Sequence, residues 1–183
     1  MKLAYIILAH KLPEQLIRLV NTLNVYDPTI MIHIDRRTDP AIYQTIYDAF
    51  EQHKNVFFLK RHISKWGQMG CVQALLEGIK EIHEKGIAFD YLINLSGQDY
   101  PIKPIGQIHD ILEKNNGQSY IRWNTIPYIS HPHIDDWIRY YHVYFGKYHF
   151  AWPKENMISN DLIRKLWNPL AKKSNIIGNC RVI

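Results

Sequence analysis

The sequence is poor in several features that would assign it to a well-marked class. It has 2 cysteines in 183 residues, Cys71 and Cys180, far apart in the chain. That excludes a disulfide scaffold and reads as two reduced thiols in a reducing compartment. No apolar run approaches the roughly 18–20 residues of a membrane span. The run Ala4-Tyr5-Ile6-Ile7-Leu8-Ala9 is too short for a signal-peptide core and leads into His10-Lys11 rather than a cleavage site. There is no fixed-period repeat and no low-complexity segment. Apolar residues are not lacking: they make up 46% of the chain and aromatics 13%, which excludes a solvated coil. A chain of this length forms one domain burying roughly 70% of its unfolded surface.

The common phosphate-binding and nucleophile signatures are also missing. Leu8-Ala9-His10-Lys11-Leu12-Pro13 has no glycine where a dinucleotide fingerprint would need one, so side chains block close approach of a pyrophosphate. No G-x-x-x-x-G-K-[ST] occurs, which excludes a P-loop NTPase. Ser96 follows Leu95 without the elbow glycine of G-x-S-x-G. Asp-x-Asp, with which many nucleotide-sugar transferases hold a metal, is absent, and Asp99 stands between Gln98 and Tyr100. His131-Pro132-His133 with Asp135-Asp136 resembles a ligand set, but the proline extends the dipeptide and splays the imidazoles, so a polar loop is the favoured reading. Cys71 reads as helix packing.

What is present is an alternation of short apolar runs and amphipathic segments. Leu3–Leu8, Ile30–Ile34, Val56–Leu59 and Tyr91–Leu95 read as strands, and Tyr120–Trp123 as a fifth. Pro13 opens a helix with Leu16, Leu19, Val20 and Leu23 on one face. Asp39-Pro40 caps a second, with Ile42, Ile46, Ala49 and Phe50 as its stripe. Val72, Leu75, Leu76, Ile79 and Ile82 mark a third that stops at Gly86, and about Ile105–Lys114 a fourth. Apolar strands separated by helices predict an open α/β fold, a mostly parallel sheet sandwiched by helices.

In such sheets ligands lie outside the carboxyl ends of the strands. Here all four early strands end in polar residues: His10-Lys11, Asp35-Arg36-Arg37, Lys60-Arg61-His62 and Ser96-Gly97-Gln98-Asp99. Acids mixed with bases suit a ligand with hydroxyls and anionic groups, a nucleotide or nucleotide-sugar. The charge is divided along the chain. Residues 1–119 hold 13 basic and 13 acidic residues, whereas 120–183 hold 9 and 4, the whole surplus behind the net charge of +5. Residues 120–152 are dense in Tyr, Trp, Phe and His, rings whose apolar faces and polar tips suit a sugar. The same residues, with positive charge, suit single-stranded nucleic acid; the interleaved Asp135, Asp136, Glu155 and Asp161 rank that reading last.

The blocks Ala4–His10, Ile32-His33-Ile34-Asp35-Arg36-Arg37, Lys65-Trp66-Gly67-Gln68-Met69-Gly70 and Tyr91–Lys103, in this order, resemble one family closely. It is the core-2/I-branching β-1,6-N-acetylglucosaminyltransferases with the related peptide O-xylosyltransferases, glycosyltransferase family 14. The resemblance spans roughly residues 3–125. In the third block the family has Trp-Gly-Gly-x-Ser; Gln68 and Gly70 stand here for its second glycine and its serine.

The resemblance implies a GT-A-like, Rossmann-related fold and an inverting, metal-independent transfer of a GlcNAc- or xylose-type sugar from a UDP-sugar to a hydroxyl acceptor. It implies no cofactor beyond the donor. Residues 1–125 would be the donor-binding region and 126–183 the start of an acceptor region. Ala9, His10, Trp66 and Gly67 would line the uridine pocket, Asp35 would accept from uracil or ribose, and Asp99 would stand where other transferases place a metal-binding acid. The strand-end residues Arg36, Ser96 and Gln98 complete the donor set. Asp135, Asp136, Arg139 and Tyr141, a weaker match, would meet the acceptor. An inverting transfer needs a carboxylate base and cations for the departing diphosphate. The family supplies both from a block expected beyond Ile183, so no base is assigned, and a chain truncated there would have impaired activity. Alternatives are a silent nucleotide- or carbohydrate-binding module and the nucleic-acid binder. A cytoplasmic enzyme of surface-polysaccharide assembly, with peripheral membrane contact through the basic end, is the expected setting, and no nucleic-acid partner is expected.

Overall fold

The computed structural model describes residues 1–65 and 68–121, and the backbone of two further strands at 141–145 and 148–152. The chain divides into two compact units, Met1–Ser119 and Tyr120–Ile183. The division coincides with the step in charge between the balanced and the basic parts of the sequence.

The first unit contains β1 (Leu3–Ala9), α1 (Pro13–Leu23), β2 (Thr29–Ile34), α2 (Pro40–Phe50), β3 (Val56–Phe58), α3 (Met69–Glu84), β4 (Tyr91–Ser96) and α4 (Ile105–Lys114). The strands form one parallel sheet in the order β3-β2-β1-β4. This is the α/β architecture that the apolar strand runs predict.

The two-residue period of the strands sorts the core into two layers. Leu3, Tyr5, Ile7 and Ala9 of β1 and Ile30, Ile32 and Ile34 of β2 pack with Leu16, Leu19, Val20 and Leu23 of α1, Ile46 and Phe50 of α2, and Ile105 and Leu112 of α4. The alternate residues Ala4, Ile6 and Met31 pack with Leu59 and with Ile82 of α3. Three helices therefore cover one face and α3 covers the other.

The helix starts follow their local chemistry. Pro13 and Pro40 occupy first-turn positions, and Asp39 caps α2 by accepting from the N–H of Ala41 at 2.8 Å. Leu12, at the start of α1, has φ 56°, a left-handed conformation that costs a branched residue about 1–2 kcal/mol. That strain sits beside His10 and Lys11, at the ligand edge of the sheet.

Two expectations change. The apolar stripe of α3 is only in part its buried face: Ile82 is buried and Leu75 packs partly buried against the core, whereas Val72, Leu76 and Ile79 are 48%, 53% and 40% exposed and Ala74 and Gly78 are buried instead. Close approach to the sheet selects the small residues, with Gly78 set directly against the Ile6 side chain. Tyr120 and Ile121 belong to no strand. The rest of that run, residues 122–123, lies outside the described residues.

In the second unit, β5 (Tyr141–Phe145) and β6 (Tyr148–Trp152) form an antiparallel pair. Its register sets Tyr141 opposite Trp152, Val143 opposite Phe150 and Phe145 opposite Tyr148.

Candidate functional site

The strand order reverses at β1: the chain moves outward to β2 and β3, then returns to place β4 on the other side. In an open parallel sheet this switch point opens a crevice at the carboxyl ends of the two strands that flank it, β1 and β4. Here these are Ala9-His10 and Ser96-Gly97.

The floor of that edge is narrow. The Gly97 N–H donates to the Leu8 carbonyl at 2.9 Å, and a Cβ on Gly97 would stand 2.8 Å from the Ala9 Cβ. Only a glycine opposite an alanine fits this approach. His10 and Lys11 follow, both exposed.

The β4 end is a compact turn. Asp99 Oδ2 accepts from the Ser96 N–H at 2.7 Å, the Asp99 N–H donates to the Ser96 carbonyl at 3.0 Å, and Ser96 Oγ accepts from the Gln98 N–H at 3.2 Å. Ser96, Gln98 and Asp99 remain exposed. Helix α1 steadies the turn. Gln15 Nε2 donates to the Gln98 carbonyl, Thr22 Oγ1 hydrogen-bonds the Tyr100 hydroxyl at 2.8 Å, and Arg18 lies over the Tyr100 ring.

The β2 end is buried and densely bonded. Asp35 Oδ1 accepts from the backbone N–H of Arg37 at 2.7 Å and from its Nε at 3.1 Å. Oδ2 accepts from Arg37 Nη2 and from the Ser64 N–H, both at 2.9 Å. The Asp35 side chain is 3% exposed and that of Arg37 49%. Burial alone would raise the Asp35 pKa, but the bonds from Arg37 and Ser64 outweigh it and hold it down to about 2. The carboxylate thus holds the Arg37 guanidinium at the surface, and Arg36 beside it is exposed.

Arg61 fastens the same turn from outside. Its Nη2 donates to the carbonyls of Asp35, Arg36 and Thr38, at 3.1, 3.2 and 3.1 Å, and its guanidinium lies 4.4 Å from the centre of the Tyr43 ring. The turn is tied to β1 as well, by the Asp35 N–H on the Ala9 carbonyl and by Thr38 Oγ1 on the His10 carbonyl.

The connection from β3 to α3 closes against this end. Arg36 N–H donates to the His62 carbonyl at 2.8 Å, and the His62 N–H donates to Nε2 of His33 at 3.0 Å. The His62 ring stacks on His33 and binds Glu77 of α3. Gly70 lies where the resembled family has a serine. A Cβ there would collide with the Ile63 carbonyl oxygen, so the departure from the block is built into the local packing.

Of the donor-side residues expected from the sequence, Ala9, His10, Asp35, Arg36, Ser96, Gln98 and Asp99 all come to the carboxyl edge of three neighbouring strands. Trp66 and Gly67 lie outside the described residues, as do Asp135, Asp136, Arg139 and the His131–His133 pair; Tyr141 begins β5. Arg37, Arg61, His33, Glu77 and Gly97 complete the edge. Arg37, Arg61 and Gly97 belong to the polar strand endings, which was a usable signal. His33 stands inside a family block but is given no role there, and Glu77 on a helix carries no signal. Among the described residues, no group of three or more His, Cys, Asp or Glu could hold a metal ion, and no helix is long and apolar enough to cross a membrane.

Fold and edge together define an open α/β protein with polar strand ends gathered at its switch point. The family model described as Core-2/I-Branching enzyme matches residues 3–130, and the chain belongs to that family. It is similar to Xylosyltransferase oxt of Drosophila pseudoobscura pseudoobscura, 26% identical over 110 residues, which are 60% of this chain and 12% of that protein. Xylosyltransferase 2 of Rattus norvegicus is 26% identical over 124 residues, 66% of this chain and 14% of that protein. The β-1,3-galactosyl-O-glycosyl-glycoprotein β-1,6-N-acetylglucosaminyltransferase of Homo sapiens is 29% identical over 146 residues, 79% and 33% respectively. The chain therefore matches a third or less of the length of each of these relatives.

Proposed function

We propose that this chain carries the donor-binding half of an inverting, metal-independent glycosyltransferase that uses a UDP-sugar of the GlcNAc or xylose type. The observation that carries the reading is the edge on both sides of β1. A close Ala9–Gly97 floor is flanked by the cations of Arg36 and Arg37 on one side and the acceptors Ser96 and Asp99 on the other. Cations suit a diphosphate; a carboxylate and a hydroxyl suit ribose or sugar hydroxyls. Asp35 serves this site through Arg37, because its own acceptor positions are already occupied.

In the reaction an acceptor hydroxyl attacks the anomeric carbon from the side opposite UDP. A carboxylate takes the hydroxyl proton as the bond to the β-phosphate oxygen breaks, and the departing diphosphate is neutralised by fixed cations rather than a metal. Absence of Asp-x-Asp from the sequence supports the metal-free form. The acceptor is a glycan or another hydroxyl-bearing molecule, met by the part of the chain that includes Asp135, Asp136, Arg139 and Tyr141. Isothermal titration of the full chain with UDP tests the donor half. Binding with a Kd in the micromolar to low millimolar range, unchanged by a chelator, is expected; no binding at several millimolar UDP overturns the reading.

A further inference from the structure

We propose that His33 is a positioning residue for donor binding: as a neutral acceptor it holds the β3–α3 connection, and through that connection the Arg36–Arg37 segment, so that nucleotide affinity fails when His33 takes up a proton. The proposal rests on the donor reading and adds to it a residue that touches no ligand.

His33 is 1% exposed, on the α3 side of β2. Its Nε2 accepts from the His62 N–H, which makes it the unprotonated ring nitrogen of a neutral, Nδ1-protonated imidazole. The His62 carbonyl in turn accepts from the Arg36 N–H at 2.8 Å. Two consecutive hydrogen bonds thus run from the buried ring to the backbone of an exposed cation at the crevice. A proton on Nε2 would set one N–H against another, and the His62 peptide would have to leave its place and release Arg36.

Among the described residues, four titratable or charged groups face the ring: Asp35 at the end of its own strand, Arg61 and His62 from the β3–α3 connection, and Glu77 from α3. Burial disfavours the protonated ring most, His62 and Arg61 add to this, and Asp35 and Glu77 oppose it; the balance lowers the His33 pKa. Near neutral pH the link is therefore made. The folded chain binds fewer protons here than the unfolded chain, so the link weakens as pH falls below about 6.5, the ordinary histidine value.

The test compares the wild-type chain with His33→Gln, whose amide oxygen offers a neutral acceptor near the Nε2 position, and with His33→Leu, which offers none. The probe is UDP-N-acetylglucosamine, a diphosphate diester whose phosphates do not titrate between pH 5 and 8. Calorimetry on the wild-type chain should show affinity falling only as pH drops below about 6.5, by at most about tenfold per pH unit for one proton. His33→Gln should bind as wild type does at pH 8 and lose most of that acid limb, and His33→Leu should bind weakly at every pH. His10 and His62 are present in all three chains, so the difference belongs to His33. An acid limb of the same size in His33→Gln overturns the proposal.

Amide exchange on the nucleotide-free chains reads the link directly. Protection of the His62 and Arg36 N–H groups should fall with acid in wild type, hold in His33→Gln and be low in His33→Leu. Unchanged protection in His33→Leu overturns the link. If that contrast appears but no chain binds the nucleotide at any pH, the donor reading is overturned, and with it the role of His33 in binding.

Discussion

At the end of β2 a buried carboxylate takes four hydrogen bonds from protein donors, whereas at the end of β4 the exposed carboxylate of Asp99 takes one from the Ser96 N–H. The first turn is held from three directions: Arg61 on its carbonyls, Ser64 on Asp35, and β1 through Ala9 and His10. The second closes largely on itself and leans on α1. A buried charge must be satisfied by protein, so the β2 end is fixed before a ligand arrives. An exposed acceptor keeps lone pairs free for solvent or another partner, so the β4 end is the more open of the two. One end is fixed by bonds from the protein, and the other leaves its carboxylate open to solvent.

The contrast is broken most severely by removing Asp35. Asp35→Ala leaves Arg37 and the Ser64 N–H without their acceptor and should lower unfolding free energy by about 3 kcal/mol. Urea denaturation measures it, and a loss under about 1 kcal/mol would show that the β2 end is no better fixed than the β4 end.

The charge itself accounts for part of that figure. The Asp35 pKa is lowered to about 2, so the folded chain keeps the carboxylate ionised where the unfolded chain has begun to bind a proton. Its stabilisation, about 2 kcal/mol, is fully present above about pH 4 and is lost as pH falls from there towards 2. Acid titration of stability should show this loss in wild type and not in Asp35→Asn.

Gly97→Ala tests the floor between the two sides. The added methyl meets the Ala9 Cβ and should cost about 1–3 kcal/mol. The double variant Ala9→Gly, Gly97→Ala should recover much of it, and full additivity in thermal melts would show that the two residues do not share one space.

The smallest effect on stability is expected at Asp99. Asp99→Asn should change it by less than about 1 kcal/mol, as an exposed polar substitution does, while UDP-sugar affinity changes several-fold. A large stability loss with unchanged affinity would reverse the assignment of roles between the two ends.

Much of this architecture was legible before any coordinates. Strand runs such as Ile30–Ile34, the proline starts at Pro13 and Pro40, the Asp39 cap and the α1 stripe are local features. A local period constrains dihedral angles and one buried face at once. The polar strand endings were legible for the same reason: where a buried strand stops, its next residues reach the sheet edge. The family's blocks then singled out Ala9, His10, Asp35 and Asp99 within those endings. The period of α3 was read correctly as helical, but its strongest apolar row, Val72, Leu76 and Ile79, is the exposed one. Hydrophobicity ranks residues by their cost in water, and the sheet chose by distance, taking the small Ala74 and Gly78 together with Ile82.

The sequence by itself determined that this is an open α/β chain of the core-2/I-branching family, with a polar strand-end set suited to an anionic, hydroxyl-bearing ligand. Those properties follow from residue order within a few turns of chain and from short blocks in a fixed succession. Only the tertiary structure decided that Asp35 is spent on Arg37 and Ser64, that Gly97 must face Ala9, and that His33 reaches Arg36 through His62. Apart from the local Asp35–Arg37 pair, each depends on groups 26 to 88 positions apart in the sequence meeting within a few ångströms. Local pattern does not encode such distances; they follow from stacking β3, β2, β1 and β4 in that order, with α1, α2 and α4 on one face and α3 on the other.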